Sequence, residues 1–118
     1  MQEIDRTRRV GELLKRELSE LMFSQLNDDR IRGVTITRVS VSRDLKNSTV
    51  YFSMLDKPAD KSRIERILNR SSGYLRKNLS KRLMMRTTPA LSFKYDDSIE
   101  HGLSLSQLID SLNVSNDQ

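Results

Sequence analysis

The chain has no cysteine and no tryptophan, one histidine and two prolines. Without cysteine there can be no disulfide framework, no thiolate nucleophile and no thiolate metal site, and a reducing compartment fits. His101 alone could anchor a metal only with carboxylates completing the shell, and one histidine near an expected helix start makes no Ser-His-Asp arrangement. Its expected role is structural. Aromatic residues make up 5% and apolar residues 36% of the chain, so the core must come mainly from Leu, Ile, Val and Met. No stretch approaches the roughly 20 apolar residues that cross a bilayer, and Met1-Gln2-Glu3-Ile4-Asp5-Arg6 lacks the apolar run of a signal peptide. A cytoplasmic protein with no membrane partner is the expectation. There is also no P-loop, internal repeat or low-complexity linker, and no metal or other cofactor is implied.

The 118 residues suit one domain. Between Asp5 and Ser24, Val10, Leu13, Leu14, Leu18, Leu21 and Met22 recur at spacings of three and four, which predicts a helix with one buried face and Asp5 as N-cap. After the polar break Asn27-Asp28-Asp29-Arg30, Val34 to Val41 reads as a strand. Val34 and Ile36 share a face while Val39 and Val41 fall on the other, so either both faces are partly covered or a bulge near Thr37 corrects the register. Turn residues Arg43 to Asn47 lead to a second strand, Ser48 to Leu55, in a hairpin. Ser62-Arg63-Ile64-Glu65 has capping-box spacing and opens a long helical stretch, which Ser71-Ser72-Gly73 should kink or break in two. Leu91, Phe93 and Tyr95 alternate in a third strand, expected beside the first after a right-handed helical crossover. A last helix runs to Leu112 from the capping signal Asp97-Ser98-Ile99-Glu100. The expected domain spans 5–112, with a polar tail over 113–118. The predicted class is α+β, helices on one face of a three-stranded sheet.

A formal charge of +5 and an isoelectric point near 9.8 say little until the charges are located. Residues 1–32 carry seven basic and seven acidic side chains, and 33–60 carry four and three. Residues 61–86 carry nine basic side chains against Glu65 alone, whereas 87–118 carry one against five. Projected at about 100° per residue, Arg63, Arg66, Arg70, Lys77 and Lys81 form one stripe away from the apolar face. Like charges at that spacing repel, and an ordinary solvated face mixes signs. A phosphate-bearing partner offsets the repulsion through contact and counterion release. The competing readings are a merely solubilising face and, less well supported without a Trp or Phe wedge, a membrane surface.

Tyr74 falls near the stripe, where it either stacks on a base or ribose or covers the bend. Arg6, Arg8 and Arg9 form an auxiliary cationic cluster that Asp5 and Glu12 can pair with. Asp28-Asp29 and Asp96-Asp97 sit where turns and helix caps use Asp, which explains them better than acid–base catalysis. Met84-Met85 is expected to serve adaptable core packing. Nothing here assembles catalytic chemistry, and the chain is expected to bind rather than catalyse.

Several segments, in order, resemble the ribosome-binding factor A family over roughly Arg6 to Leu112. They are Arg9-Val10-Gly11-Glu12 and Arg16-Glu17-Leu18, Asp29-Arg30-Ile31, Val39-Ser40-Val41-Ser42-Arg43-Asp44-Leu45, Val50-Tyr51-Phe52-Ser53, Gly73-Tyr74-Leu75-Arg76, Pro89-Ala90-Leu91-Ser92-Phe93 and Asp96-Asp97-Ser98-Ile99-Glu100. The resemblance implies a type II KH fold, helix–strand–strand–helix–helix–strand. The Gly-x-x-Gly loop of KH domains is missing. Ser71-Ser72-Gly73 occupies the family's Ala-x-Gly kink, and the Ser71 hydroxyl then needs a partner such as a backbone carbonyl. The resemblance further implies binding to the immature small (30S) ribosomal subunit and its 16S ribosomal RNA near the decoding region during late maturation; a monomer is the expected state. Processing of the RNA 5′ end, cold adaptation and a separate ribosome-associated GTPase as helper belong to the same implication. The alternative is a general KH-like nucleic-acid-binding regulator without a ribosomal role.

Overall fold

A computed structural model of the chain describes residues 2–25, 29–54 and 61–97. The expected last helix, the tail over 113–118 and His101 lie outside the described residues.

Helix α1 (Gln2–Gln25) buries Leu14, Leu18, Leu21 and Met22, with Val10 and Leu13 partly covered, so the period read from the sequence is the buried face. A one-turn 3-10 segment, Asp29–Ile31, drops Ile31 into the core, and Gly33, at φ +90, turns the chain into β1 (Val34–Val41). That left-handed value suits a residue without Cβ. Strand β1 pairs antiparallel with β2 (Asn47–Met54), and the register shifts between Ile36 and Arg38. The bulge at Thr37 lets Ile36 and, past it, Val39 and Val41 turn toward the helices. In the hairpin turn the Ser42 hydroxyl donates to Asp44 Oδ1 (2.6 Å) and accepts from the Asn47 amide (3.0 Å). The Lys46 amide also donates to Asp44 Oδ1, at 3.0 Å. Asp44 is fully exposed, yet its carboxyl is held below the ordinary 3.8, chiefly by the Ser42 hydroxyl and then by the Lys46 amide.

Helices α2 (Lys61–Arg70) and α3 (Ser72–Arg82) cross back to β3 (Ala90–Tyr95). Strand β3 pairs in parallel with β2, not with β1, giving the order β1-β2-β3. This corrects the expected neighbour. The shortest crossover from β2 lands on its own open edge, and landing beside β1 would mean passing over a strand. It also makes the strand with fully buried Val50 and Phe52 the central one. Ile36, Val50, Phe52, Leu91 and Phe93 share one core with the helices, so α1, α2 and α3 cover a single face.

Two α2 side chains close the outer edge of β3. Asn69 accepts from the Phe93 amide (2.8 Å) and donates to its carbonyl (3.1 Å), and Glu65 accepts from the Tyr95 amide (2.7 Å). Glu65 therefore serves the sheet edge, where the capping-box spacing had pointed to the helix start; an uncovered strand edge leaves its polar groups unpaired. The Met pair also departs from expectation. Past α3 the chain is extended, with Leu83 at φ −94 and ψ 140, so neighbours point to opposite sides. Leu83 and Met85 face the core, and Met84 is fully exposed.

Candidate nucleic-acid interface

The cationic stripe is built by the same helices that roof the sheet. Helix α2 turns Ile64, Ile67 and Leu68 inward, and α3 turns Leu75 and Leu79 inward. What remains outside is Arg63, Arg66 and Arg70 on α2 and Lys77 and Lys81 on α3, all exposed. Tyr74, 52% exposed, stands between the two groups. Positions 63, 66, 70, 74, 77 and 81 continue one helical row if the phase survives the bend, and the backbone preserves it. Ser71 keeps right-handed helical dihedrals (φ −85, ψ −4), its amide is shared between the Ile67 and Leu68 carbonyls (3.3 and 3.1 Å), and its carbonyl accepts from the Leu75 amide (2.9 Å).

The bend centres on Ser71. Its hydroxyl donates to the Ile67 carbonyl (3.3 Å), the kind of partner a buried-side Ser requires, and the Ser72 hydroxyl donates to Asn69 O (2.7 Å). Such back-bonding bends helices. Gly73 has a different position from the one its sequence context suggests: it is exposed in the first turn of α3, and an added Cβ would meet nothing within 4 Å. Packing at the bend does not demand it.

Nine cations look equivalent when counted along residues 61–86, and the structure sorts them. Arg82 bridges to α1, its Nε 3.4 Å from Glu17 Oε2 and its Nη2 3.1 Å from Glu20 Oε2. Arg76 Nε donates to the Thr88 carbonyl at 2.9 Å, and the Lys61 ammonium lies 4.5 Å from the Tyr95 ring centre. These three hold the fold together. Arg66, Arg70, Lys77 and Lys81 have no ion pair among the described residues. Glu65, the one carboxylate of the segment, is committed to β3, so it neutralises none of Arg66, Arg70, Lys77 and Lys81. Such a row concentrates positive potential along one groove-sized line, which suits a polyphosphate backbone.

Arg6, Arg8 and Arg9 are exposed on the first turns of α1, and Glu12 pairs with none of them. Of the two expected Asp pairs, Asp96 is buried, with its carboxylate accepting the Thr37 hydroxyl and its amide donating to Phe52 O (2.7 Å), a role in the sheet end that its sequence position as a cap does not reveal. No group of three or more His, Cys, Asp or Glu side chains among the described residues could hold a metal. None of the described helices is long and apolar enough to cross a membrane.

An α+β sheet roofed by a bent helix pair, with β2 central and β3 parallel to it, defines a KH-like domain whose helix pair carries one charge sign on its outer side. Comparison with known proteins gives the same fold. The crystal structure of ribosome-binding factor A from Thermus thermophilus superposes with a TM-score of 0.67 at 28% identity, over 75% of this chain and 94% of that one. The solution structure of a Thermotoga maritima ribosome binding factor A homologue gives 0.58 at 31% identity, over 71% and 84%. The family model for ribosome-binding factor A matches residues 6–109. Ribosome-binding factor A of Nitrosococcus oceani is 47% identical over 109 residues, 92% of this chain and 86% of that protein, and that of Thiobacillus denitrificans is 42% identical over 106 residues, 90% and 86%. The chain belongs to the ribosome-binding factor A family. Coordinates of a homology model of the Thermus thermophilus factor, as fitted into an electron cryomicroscopy map of its complex with the 30S subunit, match with a TM-score of 0.62 at 29% identity, over 74% of this chain and 91% of that one.

Proposed function

We infer that this protein is a cytoplasmic assembly factor that binds the immature 30S ribosomal subunit through its 16S ribosomal RNA, acts in late maturation including 5′-end processing, and leaves the mature particle. The observation that carries the reading is the exposed row Arg63, Arg66, Arg70, Lys77 and Lys81, while Glu65, the one carboxylate within residues 61–86, is engaged at the sheet edge. Family membership supplies the target, since the Thermus thermophilus relative has been fitted in a 30S complex. Arginines grip phosphates bidentately and stack, the lysines act as point charges, and Tyr74 between them offers a ring to a base or ribose. The role is one of binding. Any GTP hydrolysis that drives release belongs to a separate ribosome-associated GTPase, because the sequence has no P-loop.

Sedimentation in a sucrose gradient tests this. The protein should travel with free, immature small subunits and be scarce on mature ribosomes, and cells lacking it should accumulate 16S RNA with unprocessed 5′ ends, most severely in the cold. Equal distribution over all RNA would favour a general KH-like regulator instead.

A further inference from the structure

The face of the sheet turned away from the helices has a composition that the fold does not require. Read across the strands in register, it presents Thr35 and Ser53, then Arg38, Tyr51 and Lys94, then Ser40, Thr49 and Ser92. These eight positions hold five Ser or Thr hydroxyls, two cations, one tyrosine and no carboxylate. Arg38, Ser40, Ser92 and Lys94 are exposed, and among the described residues no helix packs on this side, since all three share the core on the other. Tyr51 is half-buried because the Arg38 guanidinium lies over its ring, 4.0 Å from the centre. The cations flank the central strand, roughly 10 Å apart from two strand spacings.

A solvated sheet face ordinarily places opposite charges across from one another. Here the cross-strand neighbours of the ring are both cations, and bordering carboxylates are engaged elsewhere: Asp96 is buried against Thr37, and Asp44 is held by Ser42 and Lys46 in the hairpin turn. Asp97 lies beyond the end of β3.

We propose that this open face is a second nucleic-acid contact, which takes an unpaired RNA strand. Tyr51 orients the Arg38 guanidinium flat, and the exposed plane of that guanidinium stacks on a base. Lys94, on the far side of β2, meets a backbone phosphate, and the hydroxyls of Ser40, Thr49 and Ser92 lie along the strand's path, where ribose 2′-hydroxyls and phosphate oxygens need partners. Stacking on an arginine plane tolerates any base, and single-stranded RNA is the form that presents bases unstacked. The helix row carries no such oriented plane on a rigid strand, so the two surfaces divide the labour: the row meets the phosphates of structured RNA, and the sheet meets a free end or loop.

The test uses the full chain and a fluorescently labelled octauridylate, which has no secondary structure. Arg38→Lys keeps the charge and loses the plane, so affinity should fall about tenfold with the salt dependence unchanged. Lys94→Gln should lower the slope of log affinity against log salt by about 0.7, the value for one phosphate on a single strand. Tyr51→Leu removes the ring beneath the guanidinium and should lower affinity as Arg38→Lys does, and thermal melting confirms that each variant is folded. In the wild type, backbone amide shifts on titration should centre on Arg38, Thr49, Tyr51 and Lys94. Octauridylate bound equally well by Arg38→Lys, or amide shifts confined to α2 and α3, would overturn the proposal. Neutralising Arg66 and Arg70 should leave the sheet shifts in place, which separates failure of this site from failure of the helix row.

Discussion

Two helical glycines give opposite predictions for the same substitution, and the difference comes entirely from what stands opposite each. At Gly11, a Cβ would sit 2.6 Å from the Val39 carbonyl oxygen, a backbone atom of β1 that cannot rotate away. Ordinary contact begins near 3.4 Å, so α1 would have to retreat from the sheet by about 0.8 Å. That retreat loosens Leu14 and Leu18, both fully buried on the same face. Overpacking of this kind costs roughly 1–3 kcal/mol, while helix propensity favours Ala over Gly by about 1 kcal/mol. The cost should win. Gly11→Ala is expected to destabilise by up to about 2 kcal/mol, a fall of several degrees in melting temperature. At Gly73 nothing lies within 4 Å, so Gly73→Ala should be neutral or stabilise by about 0.5–1 kcal/mol. Urea denaturation of both variants, read as the shift in midpoint at constant slope, checks the pair. A Gly11→Ala protein at least as stable as wild type would refute the close approach of α1 to β1. A destabilised Gly73→Ala would show that the bend does require a glycine.

Asn69→Ala removes both bonds to the β3 edge and should cost about 1–2 kcal/mol, with the Phe93 amide losing hydrogen-exchange protection ahead of its neighbours in β2. Arg82→Ala breaks a partly exposed bridge to Glu17 and Glu20, so stability should fall by less than about 1 kcal/mol and RNA affinity should keep its salt slope. The Asp44 carboxyl is lowered in the folded chain, so the unfolded state binds protons first as pH falls. Its contribution is therefore complete above the ordinary aspartate range and lost as pH drops through the depressed value. Carbon-13 titration should place Asp44 below 3.8, and Ser42→Ala should move it back up; no movement would show that the hydroxyl bond is not the cause.

Much of this fold is written locally. The period of α1 and the hairpin follow from residue spacing alone, because each is decided within about ten residues, whereas spacing leaves β1 with two options, a bulge near Thr37 or two partly covered faces, and the strand pairing decides for the bulge. The partner of β3 is decided by the crossover between strands whose paired residues, such as Val50 and Phe93, lie 43 apart in the chain, and order alone places β3 wrongly beside β1. Glu65 shows the same limit at a single residue. Three positions after Ser62 it matches a capping box, yet its carboxylate reaches the Tyr95 amide, 30 residues on. Within the candidate interface, the stripe is legible because charge and the apolar face share one helical period. Separating Arg76 and Arg82 from it is not, since Thr88, Glu17 and Glu20 come to them only in three dimensions. Tyr51 escaped notice for a related reason: alternation marks it as outward-facing, but only strand pairing sets it between Arg38 and Lys94.

The central claim is that the helix row holds ribosomal phosphates. With three to five contacts in play, log affinity for small-subunit RNA should fall against log salt with a slope of roughly three to five, and each neutralised cation should remove about one unit. The most direct measurement reverses the middle of the row with Arg66→Glu and Arg70→Glu together and follows co-sedimentation with immature small subunits across a salt series. Both side chains are exposed and away from the core, so the melting temperature should match wild type. The protein should be lost from the small-subunit fractions, with a flattened salt dependence for what remains. A folded double variant that still sediments with immature subunits at wild-type affinity and wild-type slope would contradict it, and would move the search to Arg6, Arg8 and Arg9.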